Sequence, residues 1–399
     1  MGQRVLTGMW KPGSIADLLS SVPFSPMPES YKSYKKLRSE IISYWDYIYE
    51  EYEVVTQDGY ILPVYRIPRG KNESSNLVLK PVVYLQHGWT LSASIWLVNP
   101  PRSSLGFLLA DAGFDVWLGN SRGNTYARKH VHLDPDSKEF WAFSYDEHIK
   151  YDLPATIDFV VNKTGQKQIY YVGHSQGTLL AFGAFATNPQ LAQKIKKNFL
   201  LGPVATVKYI SGLVRTIAYM GKTTAKILFG EKDIFSSSDA KYFVEFLCQR
   251  KTIGSACNNL LTLLFGYNPK NLNESRFDVY AGQAPAGTSV QTMLHYSQGI
   301  RSGIFQAYDW GSQFLNMLHY SQPTPPLYKV EDMKVPTAMW SGGRDFLADP
   351  IDVKKLEPNI SNLFYHKKIA DYSHLDFVIG LDAPQKVFNE IVTFIKEDK

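Results

Sequence analysis

Short apolar runs alternate with longer amphipathic stretches along most of this chain. The runs are rich in β-branched and aromatic residues, as strands are, and they cover residues 81–86, 114–118, 169–172, 197–202, 335–340 and 363–366. Helical patterns follow several of them, and one carries Pro154 in its first turn and Gly165 at its end. Strands and helices that alternate at these lengths predict a mostly parallel sheet with helices on both faces.

The pattern differs at both ends of the chain and in one long internal segment. Residues from about Ser39 to Ile67 predict a helix and then a hairpin that turns at Asp58-Gly59, and a last helix is predicted from about Ala383 to Ile395. Between about Ala205 and Tyr328 helices and loops replace the alternation, over far more residues than a connecting loop usually has. We therefore predict an α/β core at 39–204 and 329–399, a mainly helical cap at 205–328, and a flexible N-terminal arm at 1–38.

Composition excludes several classes of function. The chain has 399 residues, 44% of them apolar, and its net charge of +5 is spread out apart from a basic run from Lys32 to Arg38, so it lacks the signature of a nucleic-acid-binding protein. No apolar run reaches the roughly 20 residues that a membrane span needs, and the N-terminus shows no convincing signal peptide. No metal-ligand spacing and no glycine-rich phosphate loop is present, so we expect neither a metal nor another cofactor.

Candidate chemistry begins with the pattern Gly-x-Ser-x-Gly at residues 173–177. A predicted strand precedes it and a buried helical pattern follows it, which is the context of a nucleophile elbow. In such an elbow the serine occupies a strained turn, and glycines on either side remove side chains that would clash. The pattern therefore predicts Ser175 as a nucleophile.

Two further side chains must serve this serine: a base that accepts its proton and a carboxylate that orients the base. In sheets of this kind the acid follows the serine along the chain, and the histidine follows the acid. Asp345 comes directly after a predicted strand, whereas Asp349 is better placed to cap a helix. His374 lies on a loop before the last helix, while His366 falls inside a predicted strand. We predict Asp345 and His374 as the partners of Ser175.

Ester cleavage also places negative charge on the former carbonyl oxygen, which two backbone N–H groups must meet. We expect one donor from Gln176, directly after the nucleophile, and the other from Trp89, in the turn that follows the strand at 81–86. His87 lies in the same turn, and its early position in the chain favours a structural role over that of the base.

Sequons and cysteines bear on the compartment in which the protein works. A sequon is a glycosylation site only in a chain that enters the secretory pathway, and this chain has four, at Asn72, Asn162, Asn273 and Asn359. Cys248 and Cys257 are close enough in sequence to close a small disulfide loop, and two buried thiols are the alternative.

Beyond single motifs, the chain resembles the acid lipase family of animals, which includes gastric and lysosomal enzymes, from about residue 39 to 397. The resemblance rests on long stretches: Asp58-Gly-Tyr-Ile-Leu, Leu85-Gln-His-Gly, Ala110-Asp-Ala-Gly-Phe-Asp-Val-Trp, Gly119-Asn-Ser-Arg-Gly-Asn-Thr, Phe140-Trp-Ala-Phe-Ser, Tyr171-Val-Gly-His-Ser-Gln-Gly, Pro285-Ala-Gly-Thr-Ser-Val-Gln and His374-Leu-Asp-Phe. It implies the α/β-hydrolase fold with a helical cap and a movable lid. It also implies hydrolysis of neutral-lipid esters such as acylglycerols or cholesteryl esters.

The resemblance assigns the same roles as the motifs and adds a disulfide: nucleophile, acid and base at Ser175, Asp345 and His374, oxyanion donors at Trp89 and Gln176, and a bridge between Cys248 and Cys257. Two departures stand out. Trp89 replaces the leucine that the family usually has, which keeps the backbone donor but puts a bulkier ring near the acyl pocket. A third family cysteine is replaced near Phe265.

The leading hypothesis is therefore a serine hydrolase that releases fatty acids from neutral lipids at a lipid–water interface, working as a monomer through an acyl-enzyme. The alternatives are an esterase for small soluble esters and a lipid-binding relative without turnover. The resemblance, the sequons and the implied disulfide predict a secreted or lysosomal protein, although no signal peptide is visible.

Overall fold

The structure is a computed structural model that describes residues 37–73, 79–219, 222–235, 266 and 268–398. It divides the chain into two units, Met1–Arg38 and Ser39–Lys399. The described residues belong almost entirely to the second unit. The predicted N-terminal arm lies outside them except for its last two residues and stays a prediction.

Eleven strands form in the described residues, and nine of them make one sheet. Its order is β1-β2-β4-β3-β6-β7-β10-β11, with β5 paired to β2, while β8 and β9 form a separate ribbon. The strands are β1 (Glu50–Val55), β2 (Tyr60–Ile67), β3 (Val82–Gln86), β4 (Asp115–Gly119), β5 (Lys129–His130), β6 (Ile169–His174), β7 (Ile195–Leu201), β8 (Asp233–Ile234), β9 (Thr288–Ser289), β10 (Thr337–Gly342) and β11 (Leu363–Ile369).

From β4 to β11 in this order the paired strands of the main sheet are parallel, and its antiparallel pairs all involve β2. Every residue of β3, β4, β6 and β10 is buried. Strands covered on both faces read as continuous apolar runs, which is why the sequence located them. The prediction of a mostly parallel sheet of the α/β-hydrolase class is confirmed, and the hairpin β1–β2 turns at Gly59, with φ at +94°.

Helices lie between the strands of the sheet, as the alternation of patterns predicts. They are α1 (Leu37–Tyr44), α2 (Leu105–Asp111), α3 (Leu153–Thr164), α4 (Gln176–Thr187), α5 (Pro189–Ala192), α6 (Gly212–Ala218), α7 (Lys222–Phe229), α8 (Phe277–Gln283), α9 (Val290–Ser302), α10 (Gln313–Tyr320), α11 (Pro350–Leu356), α12 (Asp376–Ile379) and α13 (Asn389–Lys396). A short helix at Tyr145–Glu147 and a π-helical turn at His148–Asp152 lead into α3, and a second π-helical turn at Pro384–Phe388 leads into α13.

The main hydrophobic core holds α4 against the sheet. Its members include Tyr84 and Tyr171 from the strands, and Leu179 and Phe182 from α4, all almost completely buried. A helix whose apolar residues lie all round it is stable only inside such a core. The burial of α4 fixes the direction in which the chain leaves β6, and with it the turn that joins the two.

The long segment between β7 and β10 is helical where it is described. It carries α6 to α10 and the ribbon β8–β9. Residues 236–265 lie outside the description, so the predicted cap boundaries at 205 and 328 stay a prediction. None of the helices in the described ranges combines the length and apolarity that crossing a membrane requires.

Candidate active site

Ser175 occupies the turn between β6 and α4 in a backbone conformation that L-residues rarely adopt, with φ 53° and ψ −117°. The two neighbouring glycines are required sterically. A Cβ on Gly173 would lie 2.7 Å from the carbonyl carbon of Gly177, and one on Gly177 would lie 2.5 Å from the carbonyl oxygen of Gln86. Strain of this kind persists only where the surrounding structure enforces it, and it is typical of functional sites.

His374 and Asp345 form a buried pair. The imidazole Nδ1 lies 2.9 and 2.8 Å from the two carboxylate oxygens of Asp345, and both residues are almost fully buried. The backbone N–H groups of Leu347 and Ala348 also donate to Asp345, at 2.9 and 2.8 Å. Because a carboxylate only accepts hydrogen bonds, Nδ1 carries the proton and Nε2 is left as the basic nitrogen.

The structure brings Ser175 and the His374 pair to the same edge of the sheet without a hydrogen bond between them. Nε2 of His374 has no hydrogen-bond partner among the described residues. His174, which precedes Ser175, links the nucleophile turn to the His374 loop. Nε2 of His174 lies 3.0 Å from the carbonyl oxygen of His374. The ring centroids of the two histidines are 4.9 Å apart. Catalytic hydrogen bonds are often long or absent until substrate is bound, so this geometry suits a resting site.

Gly202, directly after β7, packs against the paired His374 and Asp345. A Cβ at this position would lie 3.3 Å from His374 Cε1, 3.4 Å from its Nδ1 and 3.5 Å from a carboxylate oxygen of Asp345. The φ of Gly202 is +57°, which favours glycine in its own right. Backbone therefore confines the pair, through the N–H groups that donate to Asp345 and through the close approach of Gly202.

Asp376 fixes the loop that carries His374, and the sequence patterns gave no indication of this role. It accepts hydrogen bonds from Ser373 N at 2.6 Å and Ser373 Oγ at 2.8 Å. The side-chain amides of Asn271 and Asn268 also donate to it, at 2.7 and 3.2 Å. Burial is the largest influence on its pKa and raises it above the usual value for aspartate. The only sequence signal was its place in the stretch His374-Leu-Asp-Phe.

The turn that carries Trp89 lies directly against the nucleophile. A Cβ on Gly88 would lie 3.0 Å from Ser175 Cβ. His87 fixes this turn, since its Nδ1 donates to Gly88 O at 2.8 Å and its Nε2 accepts from Ser121 N at 3.1 Å. Burial lowers the pKa of His87 to about 4, so the ring is neutral at pH 7 and able to accept that bond. These contacts are those of the structural residue that its chain position predicts.

The backbone N–H groups of Trp89 and Gln176 donate to no acceptor in the described part of the chain. The side chain of Gln176 is held from two directions. Its Oε1 accepts from the hydroxyl of Tyr296 at 3.0 Å, and its Nε2 donates to Nδ1 of His148 at 3.3 Å. Burial lowers the pKa of His148 well below the usual value, which keeps this nitrogen an acceptor. Tyr296 lies on α9, so the segment between β7 and β10 reaches the residue that follows the nucleophile.

An apolar cavity of about 90 Å³ opens at Ser175. Trp89 and Tyr296 line it, with their ring centroids 5.5 Å apart. The rest of the lining is apolar apart from Ser297 and includes Val204, Val207, Ile210, Phe229, Met293 and Leu347. A cavity with this lining favours a hydrocarbon chain over a polar group.

The residues that the sequence set aside lie elsewhere. Asp349 caps α11 by accepting from Ile351 N at 2.8 Å. His366 lies on β11, 2.9 Å from Ser341 Oγ and 3.0 Å from a carboxylate oxygen of Glu357.

The other predicted sites divide by exposure and by what the structure describes. The sequon asparagines Asn72, Asn162 and Asn359 are exposed, while Asn273 is half-buried and accepts from Ser275 at the start of a helical turn. Cys248, Cys257 and Phe265 lie outside the described residues. In the part of the chain that the structure describes, no three His, Cys, Asp or Glu side chains group as metal ligands would.

The sequence matches two family profiles. One, described as a partial alpha/beta-hydrolase lipase region, covers residues 38–100, and the other, described as alpha/beta hydrolase fold, covers residues 81–381.

Several curated proteins are similar over most of their length. The chain is 56% identical to the tear acid lipase-like protein of Mesocricetus auratus, over 93% of this chain and 92% of that protein. It is 55% identical to the gastric triacylglycerol lipase of Homo sapiens, over 90% and 91%. It is 52% identical to the human lysosomal acid lipase/cholesteryl ester hydrolase, over 90% of each.

Solved structures share the fold at low sequence identity. A putative lipase from Sulfolobus solfataricus superposes with a TM-score of 0.57 at 15% identity, covering 88% of this chain and 99% of that one. A soluble variant of the monoglyceride lipase of Saccharomyces cerevisiae gives 0.52 at 13% identity, covering 89% and 96%. At this identity the likeness bears on the fold alone.

Proposed function

The chain belongs to the acid lipase family of α/β-hydrolases and is a carboxylic ester hydrolase, and we propose that it cleaves neutral-lipid esters through Ser175, His374 and Asp345. The observation that carries the proposal is the buried pair of His374 and Asp345, 2.8 Å apart, at the sheet edge where Ser175 occupies its strained turn. The apolar cavity that opens at Ser175 supplies the place for an acyl chain.

In the acylation step His374 acts as the base. Its Nε2 accepts the proton of the Ser175 hydroxyl while Oγ attacks the ester carbonyl carbon. Asp345 holds the ring in the tautomer that leaves Nε2 basic, and it stabilises the imidazolium that forms. The hydrogen bond from Ser175 to Nε2 forms as substrate fills the cavity.

The backbone N–H groups of Trp89 and Gln176 hold the oxyanion of the tetrahedral intermediate. When the intermediate collapses, the C–O bond to the alcohol breaks and the imidazolium gives its proton to the leaving oxygen. A water molecule then attacks the acyl-enzyme with His374 again as base, and this releases the fatty acid and restores the serine.

The substrate class follows from the lining of the cavity and from the family. An apolar lining next to the nucleophile accepts a fatty acyl chain. The names of two relatives specify triacylglycerol and cholesteryl ester, and we propose acylglycerols and cholesteryl esters for this chain. The indole of Trp89 lines the cavity beside Ser175, so acyl-chain preference depends on it.

The secretory pathway is the proposed route of this protein. The support is its place in a family with gastric and lysosomal members, together with three exposed sequon asparagines, Asn72, Asn162 and Asn359. Glycosylation at these positions in protein expressed through the secretory pathway would test it directly.

Two serine variants test the nucleophile. Ser175→Ala should lower fatty-acid release from a triacylglycerol emulsion by about 10⁴-fold or more, since the loss of one triad member leaves only residual catalysis. The matched control is Ser297→Ala, because Ser297 lines the same cavity and its hydroxyl donates only to Met293 O, at 3.0 Å. Its rate should stay within about threefold of the parent. Equal rates for Ser175→Ala and the parent would sink the proposal.

Two assays of the parent protein distinguish the alternative functions. Rates measured through the solubility limit of a short ester rise sharply for a lipase and saturate below the limit for a soluble esterase. A fluorophosphonate probe that leaves Ser175 unlabelled in folded protein would support a lipid-binding relative without turnover.

A further inference from the structure

Helix α10 presents its apolar side to solvent and its polar side to the protein. Phe314 is 71% exposed and Leu318 66% exposed, and Leu315 and Met317 are exposed beside them. Asn316, in the middle of the same helix, is only 4% exposed. Surface helices of soluble proteins have the opposite arrangement, with the apolar stripe facing the core.

The inverted orientation of α10 is fixed by specific contacts. The side chain of Asn316 donates to Asp309 Oδ1 at 3.0 Å and accepts from Trp310 N at 3.0 Å. His319 stacks on Trp310 with ring centroids 3.6 Å apart, and the hydroxyl of Tyr320 donates to Tyr308 O at 2.7 Å. These contacts tie the polar side of the helix to the protein, so the apolar side is held outward.

The positions of these side chains around the helix form two separate faces. At about 100° per residue, Phe314, Leu315, Met317 and Leu318 cover an arc of roughly 160°. The exposed apolar surface is on the order of 400 Å², a size at which patches on monomers are often interaction sites.

Charge is absent from the whole segment around this face. Residues 310–328 contain no Asp, Glu, Lys or Arg. An uncharged helix face offers no ion pairs by which to select a particular protein, and no cations that would attract anionic lipid. It loses little when it is pressed into a neutral apolar medium, because few charges have to be desolvated.

The residues that hold α10 in place pack on the same hydrophobic cluster that lines the cavity at Ser175. Trp310, which stacks on the helix, packs on the same hydrophobic cluster as Trp89 and Phe229, and both of those residues line the cavity. Met293 is a buried member of this cluster and also lines the cavity. The outward face of α10 and the acyl site thus belong to one continuous piece of structure.

We propose that the apolar face of α10, formed by Phe314, Leu315, Met317 and Leu318, docks the enzyme on the surface of uncharged lipid. This inference rests on the proposed function and adds the surface through which the enzyme meets its substrate. The face inserts its side chains among acyl chains and leaves the polar side of the helix bound to Asp309, Trp310 and Tyr308.

The test measures adsorption separately from turnover. Full-length Ser175→Ala protein, which does not consume the substrate, is mixed with triolein droplets coated with phosphatidylcholine, and the bound fraction is measured after flotation. Adding Phe314→Gln and Leu318→Gln should weaken partitioning at least tenfold, because two of the inserting side chains become polar. The matched control carries Val55→Gln and Ile351→Gln. These two apolar residues lie on the surface of the α/β domain, are 56% and 50% exposed, and their replacement should leave partitioning within twofold.

A second readout distinguishes failure of docking from failure of the proposed function. With Ser175 intact, the α10 variant should keep its kcat/KM within twofold on p-nitrophenyl butyrate below its solubility limit, and it should lose at least tenfold on the emulsion. Equal partitioning of the α10 variant and the parent would overturn the inference even if Ser175 proves to be the nucleophile. A parent that dimerises in size-exclusion chromatography, with a monomeric α10 variant, would assign the face to self-association instead. Partitioning that rises tenfold when phosphatidylglycerol is added would overturn the choice of uncharged lipid.

Discussion

Replacement of Gly202 by alanine offers a direct measure of how closely the backbone confines His374. The added Cβ would lie 3.3 Å from His374 Cε1 and 3.4 Å from its Nδ1. Both distances are shorter than the 3.5–4.0 Å at which non-bonded carbon atoms attract one another best, so the ring has to shift by a few tenths of an ångström. A misplacement of about 1 Å costs on the order of 100-fold in rate. We therefore expect kcat to fall about 3- to 10-fold.

Backbone strain contributes separately to the effect of Gly202→Ala. The φ of +57° costs an alanine about 1–2 kcal/mol, part of which is offset because alanine also stiffens the unfolded chain. Gly165→Ala is the matched control. Its φ is +70°, and a Cβ there would meet no atom within 4 Å. Both variants should lose about 1 kcal/mol of unfolding free energy, which urea unfolding measures.

The comparison is decided by kcat on a soluble p-nitrophenyl ester. Gly165→Ala should keep the kcat of the parent, and only Gly202→Ala should lose activity. If both variants are equally destabilised and turn over at the same rate, the backbone at residue 202 doesn't confine the histidine and the reasoning is refuted.

Two further predictions concern the residues around Gln176 and the start of α3. Tyr296→Phe removes the hydroxyl that holds Gln176 Oε1 but keeps the ring, so kcat should fall about 3- to 10-fold with KM within twofold; an increase in KM at constant kcat would instead make Tyr296 a substrate contact. Burial is the largest influence on the pKa of Glu147, followed by the charge of Asp146, and together they raise it from 4.5 to about 7. Between pH 4.5 and pH 7 the folded protein therefore keeps a proton on Glu147 that the unfolded chain has released. The resulting stability is complete below pH 4.5 and is lost as pH rises through 7. Glu147→Gln keeps an acceptor for Ser144 N but cannot titrate. The unfolding free energy of the parent should drop between pH 4.5 and pH 8 by about 1–3 kcal/mol more than that of the variant, as measured by urea unfolding. The same drop in both proteins would contradict the assignment.

Local patterns were enough to locate the sheet and the elbow. The buried parallel strands are continuous apolar runs, and α3 begins with Pro154 near its start and ends at Gly165, whose φ of +70° is the usual left-handed cap. Position relative to the strands led us to prefer Asp345 to Asp349 and His374 to His366. Asp345 directly follows a strand and His374 lies on a loop, and an α/β sheet brings the carboxyl ends of its strands to one edge. The roles of these residues in catalysis stay predictions until the serine variants are measured.

The parts that could not be predicted depend on contacts between distant residues. Asp376 receives Asn271 from 105 positions away, and Gln176 receives Tyr296 from 120 positions away. No local sequence pattern at Asn271 or Tyr296 predicts these contacts. The orientation of α10 escaped the sequence for another reason: periodicity shows that a helix has two faces, while the contact of Asn316 with Asp309 decides which one is buried.

The insertion point of the long helical segment has a consequence for how such enzymes diverge. β7 and β10 are neighbours in the sheet, and Asn198 N donates to Pro336 O at 2.9 Å. Because the two strands run parallel, the intervening segment leaves the sheet at the carboxyl end of β7 and rejoins it at the amino end of β10, so its two ends lie about the length of a strand apart. A crossover segment that joins two adjacent strands can be exchanged, lengthened or trimmed without altering the strand pairing of the main sheet. Substrate choice and interface preference can therefore change together with this segment, while the sheet that positions the catalytic residues keeps its strand order.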